Sequence, residues 1–365
     1  MSIFNDQRVV MTLDAGGTNF VFSAIQGGEQ IVEPIQYPSN GHNLEKSLTT
    51  IIEGFELVRS KLDAEPVAIS FAFPGPADYP KGIIKDLQNL SGFKGGVALG
   101  PMLERKFKLP VFINNDGDLY AYGEAIAGLL PQVNSQLAQK GIQHRYKNLV
   151  GITLGTGLGG GIVTDGRLLI GDNSLGGEIW IFRNRLEQEM NAEEGACIRA
   201  VQRYYAQETG IENPQSLSPK DIYEIGIGEQ EGNQQAAILA FEKLGTVLGE
   251  VLSHLTTLVD GLIVIGGGLS GAYKLFMPAA IKEMQSHYQT AKGEAFPRLQ
   301  ANIYDLTNKD DLNGFYTTNE KAIKIPFTDE EIIYNPDAKV GVGVSTIGTS
   351  KAISIGAYAY ALSKL

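Results

Sequence analysis

Cysteine and histidine are scarce in this chain of 365 residues. There is one cysteine, Cys197, and the four histidines stand far apart at His42, His144, His254 and His287. A single cysteine cannot build a disulfide framework, and a structural zinc site needs four closely spaced cysteine or histidine ligands. We therefore expect no zinc, and we expect each histidine to be a surface or helix residue. The cysteine usage is typical of a reducing cytoplasm.

Basic residues and long apolar runs are also in short supply. The 30 lysines and arginines are outnumbered by 41 acidic residues, which gives a net charge of −11. Nucleic acid favours proteins of the opposite charge, so we expect no nucleic-acid partner. No apolar stretch reaches transmembrane length, and residues 1–20 lack the pattern of a signal peptide. We expect a cytoplasmic protein with no membrane partner.

Glycine is abundant, with 44 residues, and 43% of the chain is hydrophobic. This composition is typical of a folded α/β protein, and the chain is too long for one comfortable core. Two domains are therefore expected.

Two glycine-rich segments, residues 13–20 and 155–160, follow apolar strand-like runs and share one design. Glycine has no Cβ, so it allows positive φ angles and lets backbone N–H groups approach a phosphate, while threonine adds side-chain donors. A tight hairpin turn is the alternative for either segment alone. Together they predict one site for the phosphates of a nucleotide, whose expected binding residues are Gly16, Gly17, Thr18, Gly155, Thr156 and Gly157.

Asp14 ends the first strand-like run. A carboxylate is unfavourable beside a phosphate unless a divalent cation or its hydration shell lies between them. Asp14 therefore indicates magnesium, bound indirectly.

A third glycine run, Gly266, Gly267 and Gly268, ends an apolar stretch and precedes a helix-like stretch at residues 271–286. Bends at the carboxyl ends of strands commonly form ligand crevices in α/β sheets, so this run is expected to bind the adenosine end of a nucleotide. A Rossmann site is disfavoured, because the spacing does not match G-x-G-x-x-G and no acidic residue follows at the expected distance on a second strand.

Residues 110–124 supply the catalytic candidate. A short β-prone run ends at Asn115 and Asp116, and an apolar helical stretch follows, so both side chains are expected at a crevice. Asp116 is suited to accept a proton from a hydroxyl that attacks a phosphate, and Asn115 can both donate to and accept from a hydroxyl. The alternative is that Asp116 or Asp118 only caps the following helix.

The order and spacing of these motifs resemble the ROK family of sugar kinases and sugar-responsive repressors, within the actin, hexokinase and Hsp70 superfamily. Residues 14–18 are similar to its first phosphate motif, 155–160 to its second, 264–268 to its adenosine motif and 73–78 to its P-G-P-V-D segment. The resemblance implies an α/β fold of two ribonuclease-H-like domains, with the active site in the cleft between them and with ATP and magnesium bound there.

The same resemblance implies roles for individual residues. Asp116 matches the catalytic base, because residues 115–124 resemble the family's N-D-A-N-A-A-A-L-G-E segment. Gly75, Asn89 and Asn115 match positions on the sugar side of the site.

Residues 176–181 resemble the family's A-G-E-I-G-H segment, in which the glutamate binds sugar hydroxyls and the histidine contacts sugar and ligates zinc. Glu178 matches the glutamate. Trp180 stands where the family has glycine, and Ile181 stands where it has histidine. The sugar preference implied by the family is therefore in question.

The family's cysteine-rich zinc loop is missing, because only residues 182–185 lie between the altered segment and Leu186-Glu187, which resembles the end of that loop. Glu187 is thereby implied as a second sugar ligand. Glu189 and Glu193 are the alternatives for its position.

We expect a first domain at residues 1–115 and 350–365 and a second at 116–349, with the last helix assigned to the first by resemblance. Residues 132–147 are expected to be a polar surface excursion. Residues 297–343 are longer than the family suggests and either cap the nucleotide site, make a dimer contact or form a peripheral hairpin. Strands are predicted near residues 8–13, 21–26, 30–36, 67–73, 111–113, 149–154, 161–164 and 262–265, and helices over 43–62, 236–258 and 350–365.

The leading hypothesis is a cytoplasmic kinase that transfers phosphate from ATP to a hexose or amino sugar, with Asp116 as general base. A non-catalytic or regulatory sugar-binding protein of the family is the alternative, because the zinc loop and its histidine are missing. The family's repressors carry a DNA-reading domain ahead of the first phosphate motif, which here begins at Asp14, so we do not expect a repressor. The resemblance also implies a homodimer or homotetramer.

Overall fold

The computed structural model describes residues 3–87 and 89–365. In this part of the chain no helix is long and apolar enough to cross a membrane. The strands are β1 (Val10–Ala15), β2 (Asn19–Gln26), β3 (Glu29–Gln30), β4 (Ile35–Pro38), β5 (Ala68–Ala72), β6 (Ala77–Asp78), β7 (Ile83–Ile84), β8 (Val111–Asn114), β9 (Leu149–Leu154), β10 (Leu158–Thr164), β11 (Arg167–Leu168), β12 (Leu262–Gly266), β13 (His287–Gln289), β14 (Ala295–Pro297), β15 (Asn302–Asp305), β16 (Lys321–Lys324), β17 (Glu331–Tyr334) and β18 (Lys339–Val344). The α-helices are α1 (Leu44–Ser60), α2 (Leu99–Phe107), α3 (Asp116–Ala127), α4 (Leu129–Gln139), α5 (Ile198–Thr209), α6 (Pro219–Gly226), α7 (Gln234–Val259), α8 (Tyr273–Met284), α9 (Lys309–Phe315) and α10 (Thr349–Lys364).

The first large sheet has the order β3-β2-β1-β5-β8, and β4 pairs with β2. Strand β1 is antiparallel to β2, whereas β1, β5 and β8 run parallel to one another. One face of this sheet packs against α1, where the rings of Phe22 and Phe55 meet edge to face at 5.3 Å. The other face packs against α10, where Val10 and Tyr358 share a buried cluster.

The second large sheet has the order β11-β10-β9-β12-β18-β15. Strand β12 lies between β9 and β18 and is parallel to both. Its residues 262–265 are all fully buried, as expected for a central parallel strand covered on both faces. The turn that joins β10 to β11 has positive φ at Asp165 and Gly166, the conformation of a tight two-residue hairpin turn.

The chain forms two compact units. One comprises Met1–Gly128, Gly161–Gly177 and Ile347–Leu365, and the other comprises Leu129–Gly160 and Glu178–Thr346. The boundary expected from the sequence assigned residues 116–128 to the second domain. In this division α3 belongs to the first unit, because Gly123 of α3 and Gly356 of α10 let the two helices pack backbone against backbone.

Two sequence-based predictions of local structure were wrong. Residues 132–147 are not only a surface excursion, because α4 occupies 129–139 and buries Leu129, Val133 and Leu137 on one helical face. The strand predicted at residues 30–36 is split into β3 and β4. Pro34 lies in the break, where a residue without a backbone N–H interrupts the ladder.

We predict that Gly356→Ala lowers the free energy of unfolding, because a Cβ at this position would overlap the carbonyl oxygen of Leu119 in α3. Overpacking of this kind costs about 1–3 kcal/mol, although alanine is otherwise the better helix former. Denaturant unfolding would measure the change. Ser350→Ala, at an exposed position near the start of α10, is the control and should leave stability nearly unchanged.

Candidate active site

The first unit aligns three predicted site segments through strand register. Asp14 of β1 is level with Ala72 of β5, and Ala72 is level with Asn114 of β8. These strands are parallel, so their carboxyl ends meet at one edge of the sheet. That edge therefore brings together Asp14, the loop that contains Gly75, and the pair Asn115 and Asp116.

The turn from Gly16 to Thr18 continues from Asp14 and joins β1 to β2. Ser39 holds this turn: its hydroxyl donates to Gly17 O at 2.6 Å, and its backbone N–H donates to Thr18 O at 2.9 Å. A Cβ on Gly17 would come no closer than 4.0 Å to its nearest neighbour, the Cβ of Asn89. The predicted ligand residue Asn89 therefore lies beside the first glycine turn, and the turn has an open side.

The glycines of the two phosphate turns do not use the positive φ angles that the sequence suggested. Gly16, Gly17, Gly155 and Gly157 are absent from the residues with positive φ in the described chain. At two of these positions glycine is required because there is no room for a Cβ. A Cβ on Gly16 would lie 2.9 Å from Asn19 O, and a Cβ on Gly157 would lie 2.5 Å from Glu193 Oε2. Close approach of the backbone therefore explains these glycines.

Asn115 is the N-cap of α3, and its side chain accepts a hydrogen bond of 2.8 Å from Gly117 N–H. Its amide nitrogen also donates to the hydroxyl of Tyr79 at 3.3 Å, and that hydroxyl donates to Phe73 O at 3.1 Å. Asp116 occupies the first helical position, so neither Asp116 nor Asp118 is the cap. Tyr79 thus ties Asn115 to the loop of Gly75, where a Cβ would lie 2.9 Å from the Tyr79 hydroxyl.

The carboxylates of Asp14 and Asp116 are accessible at the surface of the first unit. Loss of hydration among the surrounding atoms raises the pKa of Asp116, and the N–H of Gly117 acts in the opposite direction. Loss of hydration also raises the pKa of Asp14, with a further rise from the negative charge of Asp116. A cation would relieve this repulsion. Carboxylate oxygens suit magnesium, which commonly takes only one or two protein ligands and fills its other positions with water and phosphate.

No group of three or more histidine, cysteine, aspartate or glutamate side chains within residues 3–87 and 89–365 is arranged to hold a metal ion.

In the second unit the turn of Gly155 to Gly157 follows β9 and is fastened to the start of α5. Ile198 N–H donates to Gly155 O at 2.9 Å, and Arg199 donates to Thr156 O at the same distance. Glu193 accepts from Leu158 N–H at 3.1 Å and pairs with Arg199 at 3.2 Å. A Cβ on Gly155 would meet nothing within 4 Å, so this turn also has an open side.

The third glycine run lies at the same edge of the second sheet as this turn. Gly266, at the end of β12, is level with Thr153 of β9. Gly267 has a φ of +87°, and a Cβ there would overlap Leu154 O, so this position requires glycine for both conformation and space. A Cβ on Gly268 would meet nothing within 4 Å. The second phosphate motif and the adenosine motif are therefore adjacent within this unit.

Glu178 is half buried, and the indole N–H of Trp180 donates to its carboxylate. The residue that replaces the family glycine therefore contacts the predicted sugar ligand directly. Ile181, which replaces the histidine, is 59% exposed.

Glu187 accepts two hydrogen bonds from Arg203, at 2.7 and 2.6 Å. The guanidinium lowers the pKa of Glu187, and Arg203 also donates to Glu194 O at 2.8 Å. Asn184, which is fully buried, accepts from the backbone N–H groups of Leu186 and Glu187. This loop is thus ordered by one bidentate ion pair and one buried amide, and its role in binding sugar stays a prediction.

Four residues that position the site were not identified from the sequence. Ser39 and Tyr79 hold the first turn and the Gly75 loop, whereas Arg199 and Arg203 hold the second turn and the Glu187 loop. The two arginines lie four positions apart on α5, and this i, i+4 spacing was the available signal. Ser39 and Tyr79 had no comparable pattern.

Each unit therefore contains a sheet with glycine turns at a carboxyl edge, and this arrangement defines a protein of the actin and hexokinase fold class, as predicted. A family model described as the ROK family matches residues 10–305. The chain belongs to the ROK family.

Known proteins resemble the chain over most of its length. The glucokinase of Halalkalibacterium halodurans is 26% identical over 323 residues, covering 80% of this chain and 88% of that protein. The N-acetyl-D-glucosamine kinase of Photobacterium profundum is 25% identical over 292 residues, covering 75% and 88%. The crystal structure of a glucokinase from Parabacteroides distasonis is 50% identical, covers 100% of both chains and has a TM-score of 0.92.

We predict that Arg203→Met destabilises the protein by about 2 kcal/mol, because Glu187 would lose a charge-assisted pair of hydrogen bonds. A double-mutant cycle with Glu187→Gln, measured by denaturant unfolding, should show coupling near neutral pH. Since the pKa of Glu187 is lowered in the folded state, the coupling is present above the ordinary glutamate pKa and is lost as the pH falls through the lowered value.

The control for this cycle is the pair of exposed Lys220 and half-buried Glu224, separated by 3.5 Å. Lys220→Met should change stability by a few tenths of a kcal/mol at most, roughly the value of a surface ion pair. Equal effects of Arg203→Met and Lys220→Met on stability would contradict the proposed role of the Arg203–Glu187 ion pair in ordering its loop.

Proposed function

We propose that the protein is a sugar kinase that transfers a phosphoryl group from ATP to a hexose or amino sugar. The observation that carries this proposal is the register of Asp14, Ala72 and Asn114, which brings Asp14, the first glycine turn and Asp116 to one sheet edge. The open side of the first glycine turn supports phosphate binding. The neighbouring carboxylates of Asp14 and Asp116 support cation binding and proton acceptance, respectively. The kinase names of the relatives support the substrate class.

Asp116 acts as the general base. Its exposed carboxylate accepts the proton of the attacking sugar hydroxyl, and the helical N–H of Gly117 fixes its orientation with a hydrogen bond of 2.9 Å. Asp116 lies in the first turn of α3, where the helix dipole favours its ionised form. Phosphoryl transfer is mainly a matter of positioning and charge neutralisation, so one oriented carboxylate suffices as base.

ATP supplies the phosphoryl group, and magnesium neutralises its charge. The residues that hold them in this proposal are the two glycine turns, the adenosine motif and Asp14, which binds magnesium through water. Thr18 and Thr156 contribute hydroxyl donors, and the open sides of Gly17, Gly155 and Gly268 leave the backbone accessible.

The sugar is bound by Gly75, Asn89, Asn115 and Glu178 in this proposal. Asn115 already uses its carbonyl oxygen on Gly117 N–H and one amide hydrogen on Tyr79, so it offers its second amide hydrogen to a hydroxyl. Trp180 orients the carboxylate of Glu178. The ion pair with Arg203 holds Glu187 in its own loop. A direct contact between Glu187 and sugar would compete with that ion pair.

A sugar-binding protein without kinase activity is the second candidate. It is favoured by the absence of the family's zinc loop and by Ile181 at the position of the family histidine. Calorimetry in the presence of magnesium and ATP separates the two candidates, because this one requires sugar binding without release of ADP.

We predict that Asp116→Asn lowers kcat by about 10²-fold or more, the usual contribution of a general base, while the KM for ATP changes little. A coupled ADP-release assay across hexoses and N-acetylhexosamines would measure this with the best sugar. Asp63→Asn, at an exposed position after α1, is the matched control and should retain full activity. Full activity of the Asp116 variant would refute its assignment as base.

The pH dependence provides a separate test. Because the pKa of Asp116 is raised in the folded protein, the base is protonated and inactive at a higher pH than an ordinary aspartate would be. We expect kcat/KM to fall at acid pH with an apparent pKa above about 3.9, the ordinary aspartate value. This acid limb should be absent from the residual activity of Asp116→Asn. An unchanged acid limb in the variant would assign the titration to another group.

A further inference from the structure

The hairpin of β16 and β17 is a highly exposed part of the second unit. All eight residues of its two strands are exposed, and they pair only with each other. Ile332 is 50% exposed and Ile333 is 70% exposed, and Phe327 in the connecting loop is completely exposed. An isolated two-stranded hairpin is marginally stable in water, and exposed apolar clusters mark interaction sites.

The tip of the hairpin is unusual for a surface loop. Phe327 has a φ of +66°, a left-handed conformation that is rare for a bulky residue. The loop around it is ordered by hydrogen bonds from Ile325 N–H to Glu330 O at 2.9 Å and from Thr328 N–H to Ile325 O at 3.2 Å. The ring is thus held outward, in the manner of an interface anchor.

The base of the hairpin is fixed to the unit. Asn319 donates to Asp337 at 2.8 Å across its two ends, and the ammonium of Lys339 donates to Gly314 O at 2.8 Å. The arm is therefore presented in a defined position, which reduces the entropy lost when a partner binds.

Cross-strand register separates the two faces of the arm. Ile323 pairs with Ile332, and Lys321 pairs with Tyr334, so these side chains share one face. Ile325 and Glu330 continue this face toward the tip. The opposite face has Lys324 beside Glu331, together with Ile333. The first face, which we call the apolar face, therefore has the large side chains of Ile323, Ile325, Ile332 and Tyr334, with Lys321 at the base beside Tyr334 and Glu330 at the tip beside Ile325.

We propose that the apolar face of this hairpin binds the same face of a second copy of the chain. Charge complementarity favours a second copy as the partner. When the base of one hairpin faces the tip of the other, each Lys321 lies beside the partner's Glu330. The apolar side chains of the two faces then pack against each other. Such a contact is self-complementary, as a two-fold dimer requires. An anionic lipid surface is disfavoured by the net charge of −11.

The contact area of one hairpin face is smaller than that of an obligate dimer. We therefore expect this contact to form a reversible dimer whose population depends on concentration. If the chain also assembles through another interface, this contact joins two of those assemblies. The proposal does not rest on kinase activity, since the hairpin contains none of the residues assigned to the site.

Sedimentation velocity over a range of protein concentrations tests the proposal. We expect the mass of the wild-type assembly to fall by half on dilution. Lys321→Glu and Glu330→Lys should each show the smaller mass at all concentrations, because like charges then face each other. An equimolar mixture of the two variants should restore the larger mass, since both contacts become attractive again.

The apolar contact has a matched pair of variants on neighbouring residues. Ile332→Asn alters the apolar face and should abolish the larger assembly, whereas Ile333→Asn alters the opposite face and should leave it unchanged. Thermal unfolding of each variant checks that the fold is intact. A wild-type mass that is independent of concentration, equal effects of the two isoleucine variants, or a mixture that stays at the smaller mass would each overturn the proposal.

Discussion

The parallel register of β1, β5 and β8 is the constraint on which the candidate site depends. A shift by one residue would turn every side chain to the other face and take Asp14 out of line with Asn114. Burial on both faces prevents such a shift. Phe71 of β5 packs in the core on the α1 side, and the neighbouring Ser70 donates to Ala357 O of α10 at 2.7 Å on the other side. The chemistry at the sheet edge is thus fixed by packing inside the sheet.

The two predicted phosphate turns are supported in different ways. Ser39 binds the backbone of the first turn from the loop after β4, whereas Glu193, just before α5, and Arg199, in the first turn of α5, bind the second. In both cases side-chain groups satisfy the backbone on one side of the turn and leave the glycine side open. Lack of space at the Cβ position explains glycine at Gly16 and Gly157, whereas Gly17 and Gly155 lie on the open side of their turns.

Much of the candidate site could be proposed from the sequence because it depends on short segments whose residue types are restricted by local physics, and its role in binding stays a prediction. Glycines after apolar strands, Asp14 at a strand end and the pair Asn115 and Asp116 before a helix were all found in this way. The order of the Glu187 loop was not predictable, because Arg203 reaches it from a different helix. The helix at residues 129–139 was also missed, since its polar surface concealed a buried face of Leu129, Val133 and Leu137.

The sequence by itself determined the α/β class, the strands that end in glycine turns and the identity of the chemical groups, because these follow from patterns within a few residues. Only the tertiary structure decided which groups become neighbours and which are already engaged. The level positions of Asp14 and Asn114 depend on sheet register. The pairing of Glu187 with Arg203 depends on how a loop returns to a helix, and the exposure of the β16 and β17 hairpin depends on what remains uncovered after packing. These are long-range outcomes, and no local pattern encodes them.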